Sequence, residues 1–290
     1  MAHALGHLGG CRAGFGDPAL QRSGRFLRGL LALDPDFFEA YMEWTLEPWL
    51  NGTLPAKVRR IDAGAENALM EIAIRETSRV LAVRGAILPS TLEDITLGAL
   101  LEDGRTVRGE SVIPHSGAAV RDVFIEPANA PVNPEVVRAL RDADLIVIGP
   151  GSLYTSVLPN LLVRGLGDAL IASKAHKVYI SNVATQHGET DGYTAADHYD
   201  ALRRHLGRDD IANVVLANSN LPAEPLPNEW QSQPVLAPGD ADYGAARLVL
   251  ADLVAPELRY RHDSEQLAAA VMRQYRSEER RVGKEWRSRW

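Results

Sequence analysis

The chain has 290 residues, of which 46% are hydrophobic and 24% charged, a composition typical of a globular protein with one large or two small domains. Its formal net charge of −7 disfavours a general nucleic-acid binder, which needs a basic face. The single cysteine, Cys11, excludes an internal disulfide and a cysteine-based zinc site. Neither a signal peptide nor an apolar run long enough for a membrane span is visible. We therefore expect a cytoplasmic protein without a membrane span or a nucleic-acid partner.

The middle of the chain predicts a helix, a β-hairpin with a third strand, and then alternating strands and helices. Asp103-Gly104 is a typical hairpin turn. Asn133 before a proline suits a helix start, and Thr194 with Asp197 forms a capping-box pattern. The predicted elements are the helix 67–84, the hairpin 95–111, the strand 120–125, a helix from Asn133, the strand 145–148, the helix 161–172, the strand 178–181, the helix 194–206, the strands 212–217 and 249–253, and the helix 264–274.

The strands of the second half are continuous apolar runs such as LIVI (145–148), which are typical of strands buried on both faces of a parallel sheet. Alternation with helices then predicts an α/β fold, namely a Rossmann-like, doubly wound, mostly parallel sheet with an inserted β-hairpin segment. Residues 1–66 lack this alternation, and the basic tail 276–290 resembles translated vector sequence. We therefore assign the α/β domain to residues 67–275.

Polar residues follow three successive predicted strands, at the edge where ligands of such sheets bind. Glycines let backbone N–H groups approach an anion closely, and hydroxyl and amide groups donate further hydrogen bonds. No lysine or arginine is among these residues, and neither a P-loop nor a GxGxxG motif is present, so the pattern favours a cradle of neutral donors for phosphate or ribose. The candidate nucleotide-binding residues are Gly149, Gly151, Ser152, Tyr154 and Thr155 after the first strand, Asn182, Thr185, Gln186, Glu189 and Thr190 after the second, and Asn218, Ser219 and Asn220 after the third.

Several of these candidates keep a second interpretation. Each strand end, taken alone, is also consistent with a tight turn and a helix cap. Glu189 suits a ribose ligand or a base, but equally a loop or helix-cap acid. The segment 85–91 (GAILPST) either feeds the same site or only closes a loop. His198 and His205 are seven residues apart on one predicted helix, which favours surface or packing histidines over a shared metal, so we predict no metal site. Without a GxSxG motif or a cysteine–histidine pair, no catalytic residue is assigned.

Two long motifs carry a family resemblance. The stretches GPGSLYTSVLPNLLV (149–163) and NVATQHGETDGYTAADH (182–198) resemble the bacterial gluconeogenesis factors, the YvcK-like branch of the CofD-like superfamily. A weaker match is RHDSEQLAAAV (261–271), and the whole resemblance covers about residues 73–273. It implies a Rossmann-like sandwich, a cytoplasmic location and a nucleotide ligand, either a UDP-sugar or a dinucleotide such as NAD. It also implies a role in cell shape and in the use of cell-wall precursors.

The same superfamily suggests an alternative function. Its transferases move a phospholactyl group from a guanosine dinucleotide to a deazaflavin with magnesium, so an enzyme of the 2-phospho-L-lactate transferase type that uses Mg²⁺ stays open, as does a homo-oligomer. The family begins with a strand and a GGGTG loop, which this sequence lacks. We therefore expect an N-terminally truncated or frame-shifted chain that retains part of the nucleotide cleft, and a non-functional fragment is the third interpretation.

Overall fold

Strands and helices alternate through most of the chain that the structure describes. The computed structural model describes residues 87–222, 231–255 and 260–288, so the predictions for residues 1–66 and for the helix 67–84 lie outside the described residues. In chain order the elements are β1 (Thr96–Leu101), β2 (Thr106–Arg108), a 3-10 turn (Ile113–His115), β3 (Val120–Glu126), α1 (Pro134–Asp142), β4 (Leu145–Ile148), a π-helical turn (Leu153–Val157), α2 (Leu158–Leu161), α3 (Leu166–Ala172), β5 (His176–Ile180), α4 (Ala195–Leu206), β6 (Val214–Asn218), β7 (Arg247–Ala251) and α5 (Ser264–Ser288).

The central feature is a four-stranded parallel sheet with the strand order β4-β5-β6-β7. Val178 of β5 stands opposite Val147 of β4 and Val214 of β6, and Val214 stands opposite Arg247 of β7. Because all four strands run in the same direction, their carboxyl ends meet at one edge. That edge is where a ligand of this class of sheet is expected to bind.

Helices cover both faces of this sheet. On one face Ile148, Tyr179 and Val215 are buried in the main apolar core, and the ring of Tyr179 packs against that of Tyr199 in α4 with centroids 5.6 Å apart. The opposite face forms a second core, in which β5 and β6 pack against α5. Its buried members are Val178, Ile180, Val214, Leu216, Leu253, Ala270 and Val271. Burial on both faces explains the continuous apolar runs of β5 and β6, whereas Val147 of β4 is 42% exposed. The predicted α/β fold is confirmed.

A separate antiparallel sheet contains the predicted hairpin. Its order is β2-β1-β3, with Gly98 of β1 opposite Arg108 of β2 on one side and Phe124 of β3 on the other. The turn closes where the sequence places it, since the backbone N–H of Gly104 donates to the carbonyl of Leu101 at 3.0 Å. The inner residues of this sheet join the main core, so the inserted segment and the parallel half share one apolar interior.

Two helix starts are capped as predicted. The side chain of Asn133 accepts a hydrogen bond from the backbone N–H of Glu135 at 2.9 Å at the start of α1. At the start of α4, the hydroxyl of Thr194 accepts from the backbone N–H of Asp197 at 3.2 Å, and the Asp197 carboxylate accepts from the backbone N–H of Thr194 at 2.8 Å. Both caps satisfy N–H groups that an isolated helix end leaves unpaired.

The predicted helix 161–172 is wrong as a single element. The chain leaves the helix between α2 and α3 because Arg164 pairs with another segment: its N–H donates to the carbonyl of Ala130 and its carbonyl accepts from the N–H of Val132, both at 3.1 Å. This tertiary pairing takes the backbone groups that a continuous helix would use.

Other boundaries also differ from the predictions, among them those of the last two elements. The last strand is Arg247–Ala251, two residues earlier than predicted. The last helix continues to Ser288 instead of ending at residue 274, since its glutamate, arginine and lysine residues favour helix even without an apolar period. No helix in the described ranges is both long and apolar enough to cross a membrane.

Candidate functional site

The polar loops after β4 and β5 contact each other directly at the carboxyl edge of the sheet. The side chain of Asn182, two residues after β5, forms two hydrogen bonds with the backbone of Gly151, three residues after β4. Its Nδ2 donates to the Gly151 carbonyl at 2.9 Å, and its Oδ1 accepts from the Gly151 N–H at 3.3 Å. Asn182 therefore fixes one loop against the other, and in doing so it occupies the N–H of Gly151 that the sequence suggested for an anion.

The glycine that begins the first loop is required by its surroundings. Gly149 has a φ of 79°, and a Cβ atom there would lie 3.1 Å from the carbonyl oxygen of Ile180. Its peptide bond to Pro150 is cis. Gly151 is different, because a Cβ atom would make only an ordinary contact of 3.5 Å with the Cβ of Ser156. The close approach of the two strand ends thus depends on Gly149.

A cluster of four side chains connects the same two loops on their buried side. Glu189 is only 3% exposed, and its carboxylate accepts hydrogen bonds from three side chains. The Ser152 hydroxyl donates to Oε2, the Thr155 hydroxyl donates to Oε1 at 3.2 Å, and the Gln186 amide donates to Oε1 at 2.8 Å. The oxygens of Ser152 and Thr155 lie 2.5 Å apart. We call these four residues the hydroxyl cluster.

The electrostatics of the hydroxyl cluster centre on Glu189. Burial raises the pKa of its carboxyl above the ordinary value, and the hydrogen bonds from Ser152, Thr155 and the backbone N–H of Tyr154 offset part of that rise. The nearby negative charge of Glu110 raises the pKa further. The position of a buried carboxylate that accepts several hydrogen bonds is well defined, because any movement away from a donor would break a hydrogen bond that water cannot replace.

Three of the predicted site residues are held in the interior rather than at the edge. Thr185 is 4% exposed, and its hydroxyl accepts from the N–H of Gln233 at 2.8 Å. Thr190 is fully buried, and its hydroxyl accepts from the N–H of Gln186 at 2.9 Å. Tyr154 is also fully buried, with its hydroxyl 2.8 Å from that of Tyr193. These side chains shape the loops from inside.

The third polar loop is tied to a different part of the fold. The Oδ1 of Asn218 accepts from the N–H groups of Asn220 and Leu253, at 3.2 and 3.1 Å. The side chain of Asn220 donates to Asp252 at 3.1 Å, and the N–H of Ser219 donates to the carbonyl of Ala251 at 2.8 Å. These bonds link the end of β6 to the chain after β7. Hydrogen bonds thus join the loops after β4 and β5 to each other, whereas those of the loop after β6 lead to the chain after β7.

Two contacts near the site were missed by the sequence analysis. Tyr193, the partner of Tyr154, lies within the second motif, which was the available signal. His262 lies against the end of β5, where it hydrogen-bonds the backbone of Ser181, and burial lowers its pKa. The weaker family-like stretch 261–271 contains His262 and was the available signal.

The described part of the segment 85–91 is a loop without strand structure. The Ser90 hydroxyl donates to the side chain of Asn160 within the first motif, and the side chain of Asn133 donates to the carbonyl of Pro89 at 3.2 Å. These contacts close the loop against α1 and α2.

The two histidines of α4 pack in the interior, as expected. His198 is fully buried and bonded to the carbonyl of Thr194 at 2.8 Å, and the Nδ1 of His205 lies 2.7 Å from the carbonyl of Ala201. Within the described ranges, no group of three or more His, Cys, Asp or Glu side chains is arranged to hold a metal ion. A cavity of about 200 Å³ beside α3 and the end of α4 is lined by none of the candidate nucleotide-binding residues.

Comparison with known proteins points to one family. The family model described as "2-phospho-L-lactate transferase CofD" matches residues 60–254. A "Gluconeogenesis factor" of Listeria monocytogenes is 41% identical over 201 residues, which is 69% of this chain and 62% of that protein. A "Gluconeogenesis factor" of Bacillus subtilis is 49% identical over 152 residues, which is 52% of this chain and 48% of that protein. The chain thus spans less than two thirds of the length of either relative.

A solved structure agrees with these matches. The crystal structure of a member of the UPF0052 family from Bacillus halodurans has a TM-score of 0.61 and 39% sequence identity, and the match covers 70% of this chain and 67% of that chain. The similarity therefore extends from the motifs to the three-dimensional arrangement of the strands and helices.

Proposed function

The chain belongs to the CofD family and is homologous to bacterial gluconeogenesis factors, and from this premise we propose that it binds a nucleotide-sugar or a dinucleotide at the carboxyl edge of β4 and β5. The family resemblance of the two polar motifs is confirmed. The ligand itself is the proposal, with a UDP-sugar as the first candidate and NAD as the second.

The observation that carries this proposal is the direct link between the two loops. Asn182 pairs with Gly151, and Glu189 accepts from the hydroxyls of Ser152 and Thr155, so the two loops are joined at the edge, where both hydroxyl residues are half-buried. Ligands of open parallel sheets bind outside the carboxyl ends of the strands. The joined loops offer hydroxyl, amide and backbone groups and contain no lysine or arginine. Such neutral groups suit the ribose and sugar parts of a ligand.

The role proposed for the whole protein is regulatory. Its homologues are named gluconeogenesis factors, which supports a protein that senses a nucleotide-sugar and adjusts cell shape and the use of cell-wall precursors. Because no acid–base pair stands out at the joined loops, binding without turnover is the simpler proposal.

A transferase is the second candidate, and the description of the family model supports it. Such an enzyme would move a phospholactyl group to a deazaflavin with Mg²⁺. The described residues offer no set of side chains for that ion, so we assign no magnesium ligands and derive no step through the metal.

Calorimetric titration of the full chain with UDP-N-acetylglucosamine, NAD and GDP tests the proposal. We expect saturable binding of the UDP-sugar without any product. Product formed with a deazaflavin acceptor would support the transferase instead. If none of the three nucleotides binds saturably, both functions are wrong for this chain.

A further inference from the structure

The hydroxyl cluster has a definite balance of donors and acceptors. Ser152 directs its hydroxyl hydrogen to Oε2 of Glu189, and Thr155 directs its own to Oε1 or to the adjacent Ser152 oxygen. The Gln186 amide also donates to Glu189. The hydroxyl hydrogens are therefore consumed inside the cluster. Because the Ser152 oxygen also accepts from the backbone N–H of Thr155 at 3.2 Å, the lone pairs that stay available lie chiefly on the half-buried Thr155 oxygen.

This balance decides which part of a nucleotide fits the cluster. Phosphate oxygens carry negative charge and accept hydrogen bonds, so they need donors, and an anion is repelled by a neighbouring carboxylate. The hydroxyls of a ribose or sugar can donate as well as accept, so they can pair with oxygen lone pairs. A Ser/Thr-rich loop without Glu189 would instead be free to turn its hydroxyls outward to an anion.

We propose that Glu189 is a positioning residue that makes the hydroxyl cluster an acceptor for the ribose or sugar hydroxyls of the ligand and excludes phosphate from it. The inference rests on the proposed nucleotide-binding function and specifies which part of the ligand this subsite takes. Glu189 acts through Ser152 and Thr155, because its own carboxylate is 97% covered and they are half-buried.

The variant Glu189→Gln tests this role because it keeps the shape of the side chain and replaces one oxygen with an NH₂ group. Because the Gln186 amide donates to Oε1, the NH₂ group takes the Oε2 position and donates to the Ser152 oxygen, which releases the Ser152 hydrogen from the cluster. The matched control is Glu110→Gln, which removes the same charge from an exposed carboxylate near Glu189 without touching the cluster.

Two kinds of measurement report the recognition of ribose hydroxyls and the binding of anions separately. Affinities for UDP and for 2′,3′-dideoxy-UDP, measured on the full chain and both variants, give the discrimination in favour of ribose hydroxyls. Sulfate, whose charge is constant across the neutral and mildly acidic range, reports anion binding through its competition with UDP and by direct titration.

We expect the wild type to prefer UDP over the dideoxy analogue by about tenfold, the effect of a good hydrogen bond. Glu189→Gln should lose most of this preference and bind sulfate more tightly, whereas Glu110→Gln should keep the wild-type preference. If Glu189→Gln discriminates like the wild type and gains no sulfate affinity, the inference is overturned while UDP binding still supports the proposed function. If the wild type binds no nucleotide, both are overturned.

A second variant covers the case in which Glu189→Gln does not fold. Thr155→Val is nearly isosteric and removes one of the two hydroxyls that Glu189 holds. It should lower the preference for UDP over its dideoxy analogue several-fold. A preference that stays at the wild-type value in this variant would also contradict the inference.

Discussion

The imidazole Nε2 of His205 accepts a hydrogen bond from the backbone N–H of Val123 at 3.0 Å, which joins α4 to β3 across 82 residues of sequence. The other ring nitrogen, Nδ1, lies 2.7 Å from the carbonyl of Ala201 and donates to it. Both contacts are satisfied together only by a neutral imidazole with its proton on Nδ1. His205 thus connects the antiparallel sheet to the parallel half of the fold through one protonation state.

This contact predicts a loss of stability in mild acid. Burial lowers the pKa of His205 below its ordinary value of 6.5, although the carboxylate of Asp122, 4.0 Å from Nε2, favours the charged form. Because the fold favours the neutral ring, its contribution is complete above about pH 6.5 and is lost as the pH falls below that value. His205→Gln, whose amide oxygen can accept from Val123, lacks this titration.

Thermal unfolding of the wild type and His205→Gln between pH 8 and pH 5 measures the effect. The difference in Tm between the two proteins should shift in favour of the variant as the pH falls. Other buried histidines titrate equally in both proteins, so the difference isolates His205. A difference that is constant across this range would contradict the prediction. Above about pH 6.5, His205→Ala should be less stable than the wild type by about 1–3 kcal/mol, since it leaves the Val123 N–H unpaired, and this deficit should shrink as the pH falls.

The loop after β5 depends on the absence of a side chain at Gly188. A Cβ atom there would lie 2.0 Å from the carbonyl oxygen of Pro114, whereas one at Gly192 would meet nothing within 4 Å. Both glycines have positive φ, at 79° and 75°, so replacement by alanine strains the backbone at both by about 1 kcal/mol. Gly188→Ala should lower the free energy of unfolding by about 1–3 kcal/mol more than Gly192→Ala, because Pro114 must move. If both variants lose the same free energy of unfolding in urea denaturation, Pro114 moves aside without destabilising the fold and the prediction is wrong.

Asn182 should matter to ligand binding more than other asparagines at this edge. Asn182→Ala removes both hydrogen bonds to Gly151 and frees the loop after β4 from the loop after β5. We expect the affinity for UDP-N-acetylglucosamine to fall about tenfold. Asn220→Ala is the control, because Asn220 pairs with Asp252 on the far loop. Parallel titrations in which both variants bind alike would argue against a site between the first two loops.

The capping box of α4 contributes to stability independently of any ligand. Thr194→Ala removes the hydroxyl that accepts from the N–H of Asp197, which should cost about 1 kcal/mol in chemical denaturation. Thr194→Ser keeps the hydroxyl and should stay within a few tenths of the wild-type value. If the serine variant is as unstable as the alanine variant, the methyl group rather than the cap is what stabilises this helix start.

Local signals were the reliable part of the sequence. The hairpin at Asp103-Gly104 and the caps at Asn133 and Thr194 involve residues two to four apart, and their hydrogen bonds form within the turn itself. The apolar run of β5 identified a strand covered on both faces, because burial on both sides requires apolar residues at every position. The similar run of β4 did not, since Val147 is 42% exposed. Continuity was harder to predict: the pairing of Arg164 with Ala130 interrupts the predicted helix, and Gly165, which has a φ of 91°, was the local signal of the break.

The candidate site likewise has features that the sequence predicts and features that depend on the tertiary structure. The sequence by itself determined that glycine, hydroxyl and amide residues follow successive strands, since the order of residue types is written in the chain. Only the tertiary structure decided that Asn182 joins the first two loops, that Asn218 turns the third toward Leu253, and that the hydroxyls of Ser152 and Thr155 face Glu189. Hydrogen bonds between residues more than 30 positions apart depend on how strands are placed beside one another, and no local pattern of residues encodes where a hydroxyl hydrogen will point.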